Sequence, residues 1–125
     1  MYASGERLAL VGGKISAMAW KKNAPETIRR FDATVAVPAA VRGVLFGCPI
    51  YTLDGQRYAT LYQDRVVLRL SPDDAADLMS KGGKPFEPIK GRRAKDRVVV
   101  PQPIAANART LRAWVAKAVR YARSS

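Results

Sequence analysis

Apolar and polar residues alternate between Phe46 and Leu70, and two turn signals divide this stretch into strands. Asp54-Gly55 is a strong signal for a two-residue hairpin, because both residues readily adopt a positive φ, and Gln63-Asp64 is a weaker one. These turns predict five cross-strand pairs, namely Leu53 with Gln56, Tyr51 with Tyr58, Ile50 with Ala59, Leu61 with Val66 and Ala59 with Leu68.

Successive side chains of a strand point to opposite faces of the sheet, so the same pattern predicts two chemically different faces. The predicted core face is aliphatic and contains Cys48, Ile50, Ala59, Leu61, Val66, Leu68 and Leu70. The opposite face contains Tyr51, Leu53, Tyr58, Thr60, Tyr62, Val67 and Arg69.

The tyrosine-rich face has two interpretations. Tyr51, Tyr58, Tyr62 and Arg69 could form an exposed sheet face that stacks bases and neutralises phosphates, as β-sheet RNA-binding domains do. Tyrosine also has high strand propensity, so these residues are equally typical of a half-exposed sheet or of a contact in a homo-oligomer. We favour the second interpretation, because no aromatic motif of the ribonucleoprotein type is present.

Helical spacing and breaker residues predict the other elements. Asn23 opens a cap-like pattern, and Ile28, Phe31 and Val35 follow at helical spacing. The remaining predictions are a strand at 41–46, a helix capped by Ser71 that stops near 82, strands at 86–89 and 97–100 joined by a basic loop at 90–96, and a last helix at 108–123.

The last predicted helix is amphipathic. Its apolar stripe should pack on the aliphatic sheet face, because helices normally cover one face of such a sheet. The stripe consists of Leu111, Trp114, Val115, Ala118 and Ala122, and the opposite side carries Arg109, Arg112, Arg120 and Arg123.

The net charge of +12 is unevenly distributed, since residues 81–125 carry twelve basic and two acidic side chains. A basic region of this kind favours association with polyanions or with acidic protein surfaces. Phosphate binding and ordinary solvated charge are equal interpretations at this point. The candidate contact residues are Arg92, Arg93, Lys95, Arg97, Arg109, Arg112 and Arg120.

Few residues suggest catalysis. The chain has no histidine and one cysteine, so it lacks the commonest general base and cannot form an internal disulfide. Cys48 is predicted as a small core residue rather than a reactive thiol. No metal-ligand spacing, nucleotide-binding glycine motif or nucleophile–base pair appears, so we expect no enzyme activity and no cofactor. No apolar run reaches the roughly 20 residues that span a bilayer, and we expect a cytoplasmic protein without membrane contact.

The order of the sequence motifs resembles that of the N-terminal domain of the TfoX/Sxy regulators of bacterial competence. The motifs are MAWKKNAPETIRRFD, LFGCPIYTLDGQRYATLYQDRVVLRL, SPDDAADL, GGKPFEP, a basic turn and RVVVP. The resemblance extends from Met18 to the C-terminus. Its most specific parts are Phe46-Gly47, Asp54-Gly55, QDRVVLRL and Pro85-Phe86-Glu87-Pro88. It implies a regulatory or interaction module, and it transfers no catalytic residue.

The pattern and the resemblance together predict an α+β fold in two layers. We expect a mainly antiparallel sheet of about five strands with three helices largely on one face. Residues 1–17 are predicted as a disordered extension, and residues 18–125 as a stand-alone TfoX-like domain. The predicted function is a non-catalytic regulatory module that contacts an unidentified protein partner, linked to competence or transcriptional regulation. The alternative is direct nucleic-acid binding of low sequence specificity.

Overall fold

The computed structural model describes residues 23–89 and 91–124, which contain four helices and six strands. In chain order these are α1 (Pro25–Val35), β1 (Val41–Leu45), β2 (Cys48–Leu53), β3 (Gln56–Tyr62), β4 (Arg65–Arg69), α2 (Pro72–Ser80), β5 (Lys84–Ile89), β6 (Arg92–Val99), α3 (Gln102–Ala105) and α4 (Ala108–Ser124). The predicted α+β class is confirmed, with six strands instead of about five and the short helix α3 in addition. The prediction for residues 1–17 lies outside the described residues.

The six strands form one antiparallel sheet with the order β1-β2-β3-β4-β6-β5. The first four strands are consecutive hairpins joined by two-residue turns, in which both residues have a φ between 50° and 79°. This conformation matches the right-handed twist of the flanking strands. The turns are Phe46-Gly47, Asp54-Gly55 and Gln63-Asp64, so both hairpins predicted from the sequence are confirmed.

The helices pack on one face of the sheet and form the main core with it. The buried stripe of α4 joins Phe31 and Val35 of α1 and Leu78 of α2 over the sheet. Ser71 caps α2 by accepting a hydrogen bond from the backbone N–H of Asp74 at 3.2 Å. The predicted packing of the last helix is therefore confirmed.

The predicted register between β2 and β3 is wrong at two of its three pairs. Tyr51 lies opposite Ala59 rather than Tyr58, and Ile50 lies opposite Thr60 rather than Ala59. The register shifts because one extra residue of β3 lies between the partners of Tyr51 and Thr52, which is a β-bulge. Beyond the bulge, the predicted pairs of β3 with β4 are confirmed.

The bulge also makes the predicted division of faces wrong for β2 and for Tyr58, whereas Ala59, Leu61, Val66, Leu68 and Leu70 lie in the main core as predicted. Tyr51 and Tyr58, predicted on an exposed face, are 5% and 0% exposed and belong to the main core under the helices, as does Leu53. The hydroxyl of Tyr58 donates a hydrogen bond of 2.6 Å to the carbonyl oxygen of Val35 in α1. Conversely, Cys48 lies outside the main core cluster to which it was assigned. We call the sheet face turned away from the helices the outer face; its central residues are Cys48, Ile50, Arg57, Thr60, Tyr62 and Val67.

Candidate interaction surface

An apolar strip follows the edge of the sheet at β1. Val41, Val44 and Phe46 are 64%, 63% and 82% exposed, and Leu45 is partly exposed beside them. The strip exists because β1 pairs with β2 alone among the described strands, and because the positive φ of Phe46 places its ring at the tip of the hairpin. Soluble proteins usually protect edge strands with charge or bulges, so an apolar exposed edge indicates a contact surface. We call these four residues the β1 edge.

A groove of about 160 Å³ runs from the β1 edge across the outer face. The rings of Tyr62 and Phe86 meet at its far side in an edge-to-face arrangement, with centroids 5.3 Å apart. Phe86 reaches Tyr62 from the opposite half of the sheet, where the pairing of β5 with β6 is irregular after Pro85. The groove is lined by Leu45, Phe46, Cys48, Arg57, Thr60, Tyr62 and Phe86.

Arg57, Arg69 and Arg97 lie at the end of the sheet next to this groove, and one carboxylate, that of Asp96, pairs with two of them. Nε of Arg69 donates to Oδ2 of Asp96 at 2.8 Å, and a guanidinium nitrogen of Arg97 is 3.9 Å from the other carboxylate oxygen. Burial lowers the pKa of Arg97, and the positive charge of Arg57 lowers it further. Nε of Arg57 is buried and has no hydrogen-bond partner among the described residues. Positive charge is therefore concentrated at this point.

Arg69 is less exposed than the sequence pattern predicted. Its side chain is 16% exposed, and its guanidinium lies 4.7 Å from the ring centroid of Tyr121 in α4. Of the four residues predicted for an exposed sheet face, Tyr62 and Arg69 are only half-buried, while Tyr51 and Tyr58 lie in the core. The structure therefore does not bring these four residues together on an accessible surface.

The predicted basic contact residues are also divided. Arg109, Arg112 and Arg120 are exposed on α4, whose buried side packs on the helix-covered face of the sheet, whereas Arg97 is half-buried in β6 opposite Arg69. Arg92, Arg93 and Lys95 belong to β6, so the predicted basic loop at 90–96 is wrong for most of its length. The side chains of these three residues lie outside the described part. Among the described side chains, Arg97 therefore lies on a different element from the exposed arginines of α4.

Cys48 is buried at the base of the groove rather than in the main core. Burial raises the pKa of its thiol, so the neutral form predominates at neutral pH. Its Sγ lies 3.9 Å from the carbonyl oxygen of Phe46, which is a weak contact. The geometry is that of a packed thiol and supports no nucleophilic role.

The remaining cavities and residue clusters give less support for a functional site than the groove does. A second cavity of about 500 Å³ lies on the other side of the contact between Tyr62 and Phe86, and its polar residues include Arg65, Lys84 and Glu87. Among residues 23–89 and 91–124, no three potential metal ligands cluster. None of the helices in the same residues is long and apolar enough to cross a bilayer.

Three comparisons with known proteins found no match to this chain among protein-family models, curated proteins or solved structures. Sequence reasoning missed Arg57 and Phe86 as surface residues. Gly47 after Phe46 and Pro85 before Phe86 signal irregular strands, but no local signal shows that these residues line one groove.

Proposed function

We propose that this chain is a non-catalytic, TfoX-like interaction module that acts in the cytoplasm by contacting a protein partner through the β1 edge. The observation that carries the proposal is the exposure of Val41 and Val44 on an edge strand and of Phe46 in the turn that follows it. Partner proteins commonly bind such edges by adding a strand and by covering the apolar side chains. A role in competence or transcriptional regulation rests on the resemblance of the sequence motifs to TfoX/Sxy regulators.

The chemistry of this surface favours a protein partner over nucleic acid. The exposed arginines of α4 and the charge of +12 favour polyanion binding, so direct nucleic-acid binding is the second candidate. However, Tyr51 and Tyr58 are buried, and the four residues of the β1 edge carry no charge, whereas the exposed arginines lie on α4. Base stacking on a tyrosine sheet is therefore not the basis of either proposal.

Affinity capture from the native cell with matched variants tests the proposal. The edge variant combines Val44→Thr, which keeps a β-branched residue, with Phe46→Asn, which suits a positive φ before Gly47. The control is Met79→Thr, because Met79 is an exposed apolar residue of α2, away from the edge.

We expect the wild-type chain and the control to retain the same partner after nuclease treatment, and the edge variant to lose it. Retention of that partner by the edge variant would contradict the proposal. Release of all captured protein by nuclease would instead favour the nucleic-acid alternative.

A further inference from the structure

The side chain of Arg57 is the starting point, because it leaves a buried donor unsatisfied. Its Nε has no hydrogen-bond partner among the described residues, although buried polar atoms are nearly always paired. Arg57 is positioned by the β3 bulge, and bulges often redirect a side chain toward a binding site. An acceptor from a bound molecule would remove the cost of this unpaired donor.

The charges nearby favour an anion as that molecule. Asp96 pairs with both Arg69 and Arg97, and the charge of Arg57 adds to the positive potential at Arg97. A planar guanidinium binds a carboxylate through two parallel hydrogen bonds, and such charge-assisted bonds are stronger than neutral ones.

The rest of the groove favours a compact apolar group beside the anion. Leu45, Phe46, Tyr62 and Phe86 contribute apolar surface, and the volume of about 160 Å³ is below the usual range for drug-sized ligands. We propose that this groove binds a carboxylate joined to a compact apolar group, with the carboxylate on Arg57 and the apolar group against Tyr62 and Phe86. A free organic acid and an acidic side chain of a partner present the same carboxylate. The proposed site therefore does not depend on the protein-contact function.

A nuclear magnetic resonance titration of the full chain with phenylacetate tests the site. We expect saturable shifts of the Arg57 Nε–Hε signal and of the Tyr62 and Phe86 ring signals, with a dissociation constant on the order of 1 mM for so small a ligand. Phenylacetamide has the same shape without the charge, and we expect it to bind at least about tenfold more weakly.

Three variants make the result specific to Arg57. Arg57→Gln should weaken binding by about tenfold or more, and Arg57→Lys, which keeps the charge but loses Nε, should weaken it measurably. Arg112→Gln removes the same charge from the exposed side of α4 and should leave binding unchanged. Thermal unfolding of each variant confirms that it is folded.

The absence of saturable shifts at about 20 mM phenylacetate would overturn the proposal. Three other results would also overturn the proposal. They are binding of phenylacetamide as tight as that of phenylacetate, a loss of affinity in Arg112→Gln equal to that in Arg57→Gln, and binding of phenyl phosphate about tenfold tighter than that of phenylacetate. The source of the acid is distinguished with the peptide acetyl-Val-Glu-Phe-Glu-Val-amide and its glutamine counterpart. If the acidic peptide binds more tightly than phenylacetate and adds shifts along β1, the source of the carboxylate is a protein segment. If the peptide binds no more tightly than phenylacetate does, the source is a free acid.

Discussion

The side chain of Asn23 accepts a hydrogen bond of 2.6 Å from the backbone N–H of Asp64, across 41 positions of the chain. In return, the carboxylate of Asp64 accepts a bond of 2.7 Å from the N–H of Ala24, and the Asn23 amide donates to the carbonyl oxygen of Leu61. The N-cap residue of α1 is Ala24, which has no side-chain cap. The local cap predicted at Asn23 is therefore wrong, because its side chain is bound to the turn between β3 and β4, and Asp64 of that turn binds the N–H of Ala24.

This exchange predicts the effect of Asn23→Ala. The variant loses an acceptor and a donor that connect α1 to the sheet, so we expect the free energy of unfolding to fall by about 0.5–2 kcal/mol. Urea denaturation measures the change. Asn23→Asp keeps the acceptor for Asp64 N–H but loses the amide donor, and it places two carboxylates close together, so it should not restore stability. An Asn23→Ala variant with the same free energy of unfolding as the wild type would show that these hydrogen bonds contribute little to stability.

The corrected faces of the sheet predict different costs for two tyrosines. Tyr58 is fully buried and hydrogen-bonded to α1, so Tyr58→Ala should cost about 3–5 kcal/mol, whereas Tyr62→Ala on the outer face should cost clearly less. Leu68→Ala is the reference for a buried aliphatic residue and should cost about 2–5 kcal/mol. Chemical denaturation of the three variants measures these values. A larger loss for Tyr62→Ala than for Tyr58→Ala would contradict the face assignment.

The buried phenol of Tyr58 predicts a loss of stability in alkali. Burial, assisted by the neighbouring Tyr51, raises the pKa of Tyr58 to about 12, whereas an unfolded tyrosine ionises near pH 10. Between these values the unfolded chain releases a proton that the folded chain keeps, so stability is complete below about pH 10 and falls as the pH rises, by up to about 1.4 kcal/mol per unit. Denaturation between pH 9 and 12 should show a shallower decline in Tyr58→Phe. An unchanged decline would assign the effect to other groups.

The burial of Tyr51 and Tyr58 predicts weak binding of nucleic acid. Because Tyr51 and Tyr58 are buried, we expect no binding of labelled single- or double-stranded oligonucleotides tighter than about 10⁻⁴ M near physiological salt. Fluorescence anisotropy at two salt concentrations measures this. Tighter binding would support the alternative function. Replacing Arg109, Arg112 and Arg120 with glutamine should then flatten its salt dependence, and Tyr62→Ala should weaken single-strand binding.

The sequence predicted the features that depend on local chemistry. The turns at Asp54-Gly55 and Gln63-Asp64, the cap of α2 at Ser71 and the buried stripe of α4 all follow from short-range patterns, and the structure confirms them. Strict alternation failed at Tyr58, because a single extra residue in β3 reverses which side chains reach the core.

The candidate site was less predictable than the fold. Arg57 is directed into the groove by the same bulge, and Phe86 reaches Tyr62 through irregular pairing between β5 and β6. Both features depend on contacts between distant strands, which periodicity does not reveal. The exposure of Val41 and Val44 follows from the position of β1 at the end of the strand order, and this order is also a property of the complete sheet.

Amide hydrogen exchange on the complex with the captured protein shows whether β1 is the contact surface. If the β1 edge is the contact surface, the amides of β1 and of the Phe46-Gly47 turn should exchange more slowly in the complex than in the free chain, and those on the exposed side of α4 should be unchanged. Protection confined to α4, with β1 exchanging as it does in the free chain, would contradict the claim.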